Sequence, residues 1–260
     1  QSLDELRPSD VLRGSKISSD TGASLLLDEG ASVSLHPYEL HVLVDRVQLR
    51  KKDRSRLIRW DMRGHGRTEC ADDQAAYGQD ITVADMTAIL NHLDVETAVI
   101  AGHSLGGFMS MRFNVFHPER VRGLILQGCG PGYRSGGSRA KWNERVAGRA
   151  KTILEKGYKA LNGASEVPVS LQRSSEELAM AARGILAQVD AKVIDSLPTI
   201  RVPTLVIIGA GDTYYLQGSD YMASRIPGAD HVVVPDAAHG VNLDQPGIVN
   251  KAYGDFLAKL

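Results

Sequence analysis

The chain has 260 residues, 43% of them hydrophobic and 23% charged, enough for one large core or for one domain with an insertion. A formal net charge of −1 gives no electrostatic footprint for nucleic acid, and no apolar stretch reaches the ~18 residues of a membrane span. Two cysteines, Cys70 and Cys129, make no disulfide framework, no cluster of metal-ligating residues or cofactor motif stands out, and a cytoplasmic location is the default expectation.

In chain order, residues 1–23 are polar and irregular. Ser24 to Leu27 is a short apolar run, followed by Asp28-Glu29-Gly30-Ala31-Ser32. Between Tyr38 and Leu49 the apolar residues Leu40, Leu43, Val44, Val47 and Leu49 suit helical spacing better than strand alternation, so a helix is expected. Leu57 to Trp60 reads as a strand that ends in the glycine-punctuated turn Asp61-Met62-Arg63-Gly64-His65-Gly66-Arg67. Thr82 is expected to open a helix, with Asp85 as its capping-box partner and Val83, Met86, Ile89, Leu90 and Leu93 as its apolar face. Ala98 to Ala101 is a strand, Ser104 to Phe116 a helix stopped near Pro118, and Gly123 to Gln127 a strand of the buried type.

After Gly128-Cys129-Gly130-Pro131-Gly132 the texture changes. The glycines miss the G-x-G-x-x-G spacing of a dinucleotide loop. Residues 133–200 hold no clear strand but several helical stretches, such as 140–156 and 175–189, and read as an inserted helical segment entered through a glycine hinge. Strand texture returns at Thr204 to Ile208 and at His231 to Val234. In the last fifteen residues Ile248, Val249, Ala252, Tyr253, Phe256, Leu257 and Leu260 share one face. The expected division is 1–132 and 201–260 as two parts of one core domain, with 133–200 inserted between them. Strands with continuous apolar cores, separated by helices, predict an α/β fold with a parallel sheet covered on both faces. Ligands bind such sheets at the carboxyl ends of the strands, where the glycine-rich turns fall.

The chemistry concentrates at those ends. Gly102-His103-Ser104-Leu105-Gly106 fits G-x-S-x-G, directly after an apolar strand and before a helix. In such a turn the serine is held in a strained conformation with its hydroxyl exposed, and the helix behind it aims N–H groups at developing negative charge. A serine hydroxyl needs a base, and the base needs an orienting acid. Of the eight histidines, His239 lies just past the last strand, next to Gly240, and is the candidate base. Asp212, in Gly209-Ala210-Gly211-Asp212 after the preceding strand, is the candidate acid, with Asp236 as its rival. His65 is placed to line a pocket. His103 sits on the elbow itself with its ring turned away from Ser104, and together with Tyr133, Trp142 and Tyr214 it completes the candidate pocket. Arg134, Arg139 and Arg183 read as a solvated face.

These residues resemble the α/β-hydrolase fold family, in the elbow, the Asp61 to Gly66 turn, His117-Pro118-Glu119-Arg120-Val121, Gly209 to Asp212 and Ala238-His239-Gly240. The resemblance implies a mostly parallel eight-stranded sheet with a helical cap at 133–200. It also implies a serine-hydrolase mechanism, with Ser104 as nucleophile, His239 as base, Asp212 as orienting acid and the Leu105 N–H as half of an oxyanion hole. Members with haloalkane dehalogenase or epoxide hydrolase activity carry Asp at the elbow, so Ser104 points to acyl chemistry on a small ester, thioester or lactone or on an activated C–C bond. The family's second oxyanion donor follows a His-Gly dipeptide. Here the corresponding loop at 28–32 has no His-Gly, and Gly30 is the remaining candidate beside Asp28 and Glu29. That departure motivates the alternative expectation of a small-molecule receptor of the same fold. The expected partner is a small molecule, with no cofactor; the oligomeric state is not read from the sequence.

Overall fold

The computed structural model describes residues 39–44, 56–66, 68, 71–158 and 174–260. A single sheet runs through it. Its strands are β1 (Glu39–Val44), β2 (Arg56–Asp61), β3 (Ala98–His103), β4 (Val121–Gln127), β5 (Thr204–Gly209) and β6 (Asp230–Val234), in the spatial order β2-β1-β3-β4-β5-β6. From β3 to β6 all pairings are parallel, while β1 runs antiparallel to both neighbours, with Leu40 opposite Trp60 on one side and Gly102 on the other. The sheet described has six strands where the resemblance implies eight. The 24–32 stretch lies outside the described residues.

Two expectations from the amino-terminal half are corrected. The region from Tyr38 to Leu49 contains strand β1 rather than a helix. Its 3.6-residue pattern is short, and a segment flanked by two strands satisfies its backbone N–H and C=O groups in two ladders at once. Helix α1 (Gln79–His92) begins three residues before Thr82, with Gly78 at its N-cap, and the Thr82 hydroxyl donates back to the Gly78 carbonyl at 3.0 Å. Asp85 is therefore not a capping partner. It is buried and takes a two-pronged contact from Arg63, at 2.7 Å from Nε and 2.9 Å from Nη2. Burial raises the Asp85 carboxyl above its ordinary range, and the guanidinium acts against that rise.

The helices cover both faces. Strand β3 is buried along its whole length, and its alternate residues serve opposite sides of the sheet. Ile100 packs with Leu124, Leu126 and Val206 against α1, α2 (Leu105–Phe116) and α6 (Leu216–Arg225). Val99 and Ala101 pack with Ile125, Leu205 and Ile207 against the carboxy-terminal helix α8 (Pro246–Leu257), which Pro246 opens at its first position. On α8 the buried residues are Val249, Tyr253 and Phe256, while Ile248 is exposed rather than part of the shared face.

Between β4 and β5 the described residues hold helices and no strand. These are α3 (Gly136–Lys156), α4 (Ser175–Ala181) continuing into a π-helical turn (Ala182–Leu186), and α5 (Lys192–Ser196). The short α7 (Val241–Asp244) follows β6. No helix among the described residues is long and apolar enough to cross a membrane.

Candidate active site

The connection from β3 to α2 is as tight as its glycines allow. Ser104 has φ 55° and ψ −117°, a left-handed conformation that a non-glycine residue adopts only under constraint. A β-carbon on Gly102 would lie 2.1 Å from the Gly106 carbonyl carbon and 2.6 Å from the Gly107 nitrogen, so strand and helix meet backbone to backbone. The Ser104 N–H donates to the Gln127 carbonyl at 2.9 Å, pinning the turn to the end of β4. The first helical bond of α2 runs from Phe108 N–H to Ser104 O, which places the N–H groups of Leu105, Gly106 and Gly107 ahead of the intrahelical ladder.

Asp212 and His239 arrive from the ends of β5 and β6. Their loops lie against each other because Gly209 has no side chain: a β-carbon there would stand 2.3 Å from the Ala238 carbonyl oxygen. The Gly211 N–H donates to Ala237 O at 2.8 Å. Asp212 is buried and both its oxygens are engaged. Oδ1 accepts from the Tyr215 N–H at 3.3 Å, and Oδ2 lies 2.5 Å from His239 Nδ1. A carboxylate accepts, so Nδ1 carries the proton and Nε2 is left as an acceptor. His239 Nε2 stands 3.1 Å from Ser104 Oγ. The structure thus brings Ser104, His239 and Asp212 into one hydrogen-bonded chain, an arrangement that can carry a proton from Oγ to the imidazole and stabilise the resulting charge. The rival Asp236 occupies an exposed turn with φ 53°.

The His239 ring is held on both sides. Tyr215 stacks on it at 4.9 Å with an interplanar angle of 19°, and His103 leans on it at 4.7 Å. The His103 Nε2 donates to the His239 carbonyl at 2.8 Å. This corrects the expectation that His103 lines the pocket. It is fully buried, beneath His239 and Gly128, because the last residue of β3 turns its side chain into the protein. The three expected aromatic residues do line a cavity of about 480 Å³ that opens at Ser104 and Leu105; Tyr133, Trp142 and Tyr214 share its wall with Phe108, Tyr215 and Tyr221. The Tyr133 hydroxyl is pushed up to about 12 by burial and by its contact with Tyr214, so it stays neutral. Sequence reasoning missed Tyr215, whose only signal is its place three residues after Asp212. Arg134 lies outside the cavity in an ion pair with Asp195. The Gly30 loop, the other expected oxyanion element, lies outside the described residues.

His65 also stays out of the cavity. It is buried, with Nδ1 3.0 Å from the Arg63 carbonyl, and burial lowers its pKa from 6.5 to about 4. The folded chain holds this imidazole neutral, while the unfolded chain binds a proton near 6.5. The stability it contributes is therefore complete above pH 6.5 and is lost as the pH falls toward about 4, by up to about 3 kcal/mol. Urea titrations at pH 7.0 and 4.5 should show this loss, and a His65→Asn chain should show a shallower one; equal pH slopes for the two proteins would refute it.

Comparison with known proteins bears on the family and the fold. Residues 30–252 match the model of the alpha/beta hydrolase family. The chain is 28% identical over 225 residues to a Bacillus subtilis (strain 168) protein provisionally named 2-succinyl-6-hydroxy-2,4-cyclohexadiene-1-carboxylate synthase, covering 79% of this chain and 82% of that one. It is 26% identical over 220 residues to 3-oxoadipate enol-lactonase 2 of Acinetobacter baylyi (strain ATCC 33305 / BD413 / ADP1), with coverage of 77% and 78%. Among solved structures, a thermophilic esterase from Thermogutta terrifontis superimposes with a TM-score of 0.63 at 25% identity, over 79% of this chain and 80% of that one. With a strand–elbow–helix at its centre and a matching family model over most of its length, the chain belongs to the alpha/beta hydrolase family and is a hydrolase of that fold.

Proposed function

We propose that this protein is a serine hydrolase that cleaves a small carboxylic ester, thioester or lactone through an acyl-enzyme on Ser104. The observation that carries the reading is the chain from Ser104 Oγ through His239 to Asp212, at 3.1 Å and 2.5 Å. His239 Nε2 takes the proton from Oγ as Oγ adds to the substrate carbonyl. The oxyanion forms at the start of α2, where the Leu105 N–H is free of the helical ladder. Collapse expels the alcohol or thiol, which leaves with the proton from His239. Water, deprotonated by the same imidazole, then releases the acid and restores Ser104. The relatives named as esterase and enol-lactonase support ester-type chemistry. In this reading residues 133–200 are a cap that shapes the cavity, and its aromatic wall suits a compact, largely apolar acyl group.

The test is hydrolysis of p-nitrophenyl acetate, butyrate and hexanoate by the wild-type and Ser104→Ala proteins, with fluorophosphonate labelling alongside. Loss of the serine is expected to lower kcat/KM by at least about 10⁴. Equal rates in the two proteins, or failure of the probe to label Ser104, would refute the proposal; saturable thermal stabilisation without turnover would favour a small-molecule receptor.

A further inference from the structure

One wall of the cavity is held more firmly than an interior loop requires. The π-helical turn after α4 and the residues beyond it present four successive carbonyls, each met by a side-chain donor. Gln79 Nε2 reaches Ile185 O at 3.2 Å and also Ala187 O; Trp142 Nε1 donates to Leu186 O at 2.8 Å, and Asn143 Nδ2 to Gln188 O at 3.1 Å. Asn143 returns the contact, accepting from the Gln188 N–H at 2.7 Å. Two residues on, Asp190 receives the buried Arg112 from α2 at 3.1 Å. The backbone around Gln188 is thus fixed from α1, α2 and α3 together. π-Turns are uncommon and concentrate at functional sites.

Against this satisfied backbone two side-chain acceptors are not satisfied, Gln79 Oε1 and Gln188 Oε1, and of the two residues Gln188 is the one that lines the cavity. Gln188 lines the cavity and is only 8% exposed, yet its Oε1 is buried with no hydrogen-bond donor among the described residues. Oε1 is turned toward Gly132, whose missing side chain leaves it room, so an incoming group meets the part of the Gln188 side chain that lines the cavity, and the carboxamide there is held on a rigid wall with no partner for its oxygen among the described residues. Among the described residues no Asp, Glu, Lys or Arg lines the cavity, so a carboxylate carried to this wall would lose hydration without gaining a facing cation.

We propose that the Gln188 carboxamide is a polar recognition group on this wall of the cavity, and that it takes a neutral hydroxyl borne on the acyl chain of the substrate, away from the reacting carbonyl. A carboxamide offers an acceptor on one edge and donors on the other, and a hydroxyl can both give and accept, so it matches either edge. The proposal rests on the serine-hydrolase reading only in deciding which part of the substrate faces Ser104.

The experiment therefore uses binding as well as turnover. In a Ser104→Ala protein, methyl 6-hydroxyhexanoate and methyl hexanoate are titrated against the fluorescence of Trp142, which lines the cavity. The hydroxylated ester is expected to bind about tenfold more tightly. In Ser104→Ala/Gln188→Met, a replacement of similar length that keeps both backbone bonds to Asn143, the ratio should fall to about one. Because Oε1 has no partner to lose, Gln188→Met should leave Tm unchanged or raised. An unchanged ratio in the double variant, equal affinity for the two esters before it, or no saturable binding of either overturns the proposal, as does a drop in Tm of more than about 5 °C, which would mark Gln188 as structural. If the preference holds while wild-type protein hydrolyses neither ester, the nucleophile reading fails and the subsite stands.

Discussion

Asp212→Asn is expected to leave the protein folded and to lower kcat/KM for p-nitrophenyl esters by about 10⁴. The carboxylate holds the proton of His239 on Nδ1 and leaves Nε2 open toward Ser104 Oγ, 3.1 Å away. An amide at the same place can offer its own N–H to Nδ1. The ring then carries its proton on Nε2, where a base is needed, and donates toward the serine instead of accepting from it. Tyr215 and His103 would still clasp the ring, and the Asp212 backbone bonds to Gly209 and Leu216 do not involve the side chain, so thermal unfolding should move little. Steady-state kinetics beside a melting curve make the check. A variant within tenfold of wild type would show that Asp212 does not set the tautomer of His239.

The largest effect on stability is expected from Gly102→Ala. The added methyl group would fall 2.1 Å from a backbone carbon and 2.6 Å from a backbone nitrogen of α2, and no side-chain rotation relieves such an overlap. Strand β3 lies between β1 and β4 and is buried throughout, so it has little freedom to withdraw. A loss of at least about 3 kcal/mol follows, at the upper end for overpacking. The same substitution has the opposite sign at Gly148, on the exposed face of α3, where nothing lies within 4 Å of the added carbon. There a gain of about 0.5–1 kcal/mol is expected from helix propensity. Urea unfolding of both variants tests the pair, and a Gly102→Ala protein as stable as Gly148→Ala would show that the elbow yields where the contacts say it cannot.

How much of this was legible in the sequence depended on whether chemistry or packing decided each point. The elbow, Asp212 and His239 could be located because glycines and polar residues directly after apolar strands carry their meaning locally. The aromatic wall of Tyr133, Trp142 and Tyr214 was reachable for a similar reason, large rings clustered around the inserted segment. Strand β1 was misjudged because its short apolar pattern fits two periods, and only its position between two strands settles the choice. Asp85 was misread because a Thr and an Asp three apart imitate a cap, while its true partner, Arg63, lies 22 residues away. His103 was misplaced because one residue of offset at the end of a strand turns a side chain from one face to the other. Gln188 gave no signal. A glutamine in a helical stretch looks like surface until the four carbonyls around it are seen to be held by Gln79, Trp142 and Asn143.

Arg112 bears on how far the segment between β4 and β5 can be exchanged with that of a relative. Its guanidinium is enclosed and shared between Asp80 on α1 and Asp190 on the segment, at 2.6 Å and 3.1 Å. The seam therefore joins the two parts by two kinds of bond. Gln79 grips main-chain carbonyls and accepts any sequence that keeps the path of the chain. Arg112 grips a side chain, and a transplanted segment without an acid at 190 would strand part of a buried cation at the joint. In a chimaera the arginine and the acid are inherited together or replaced together, so this single pair sets which segments are interchangeable before substrate preference is considered.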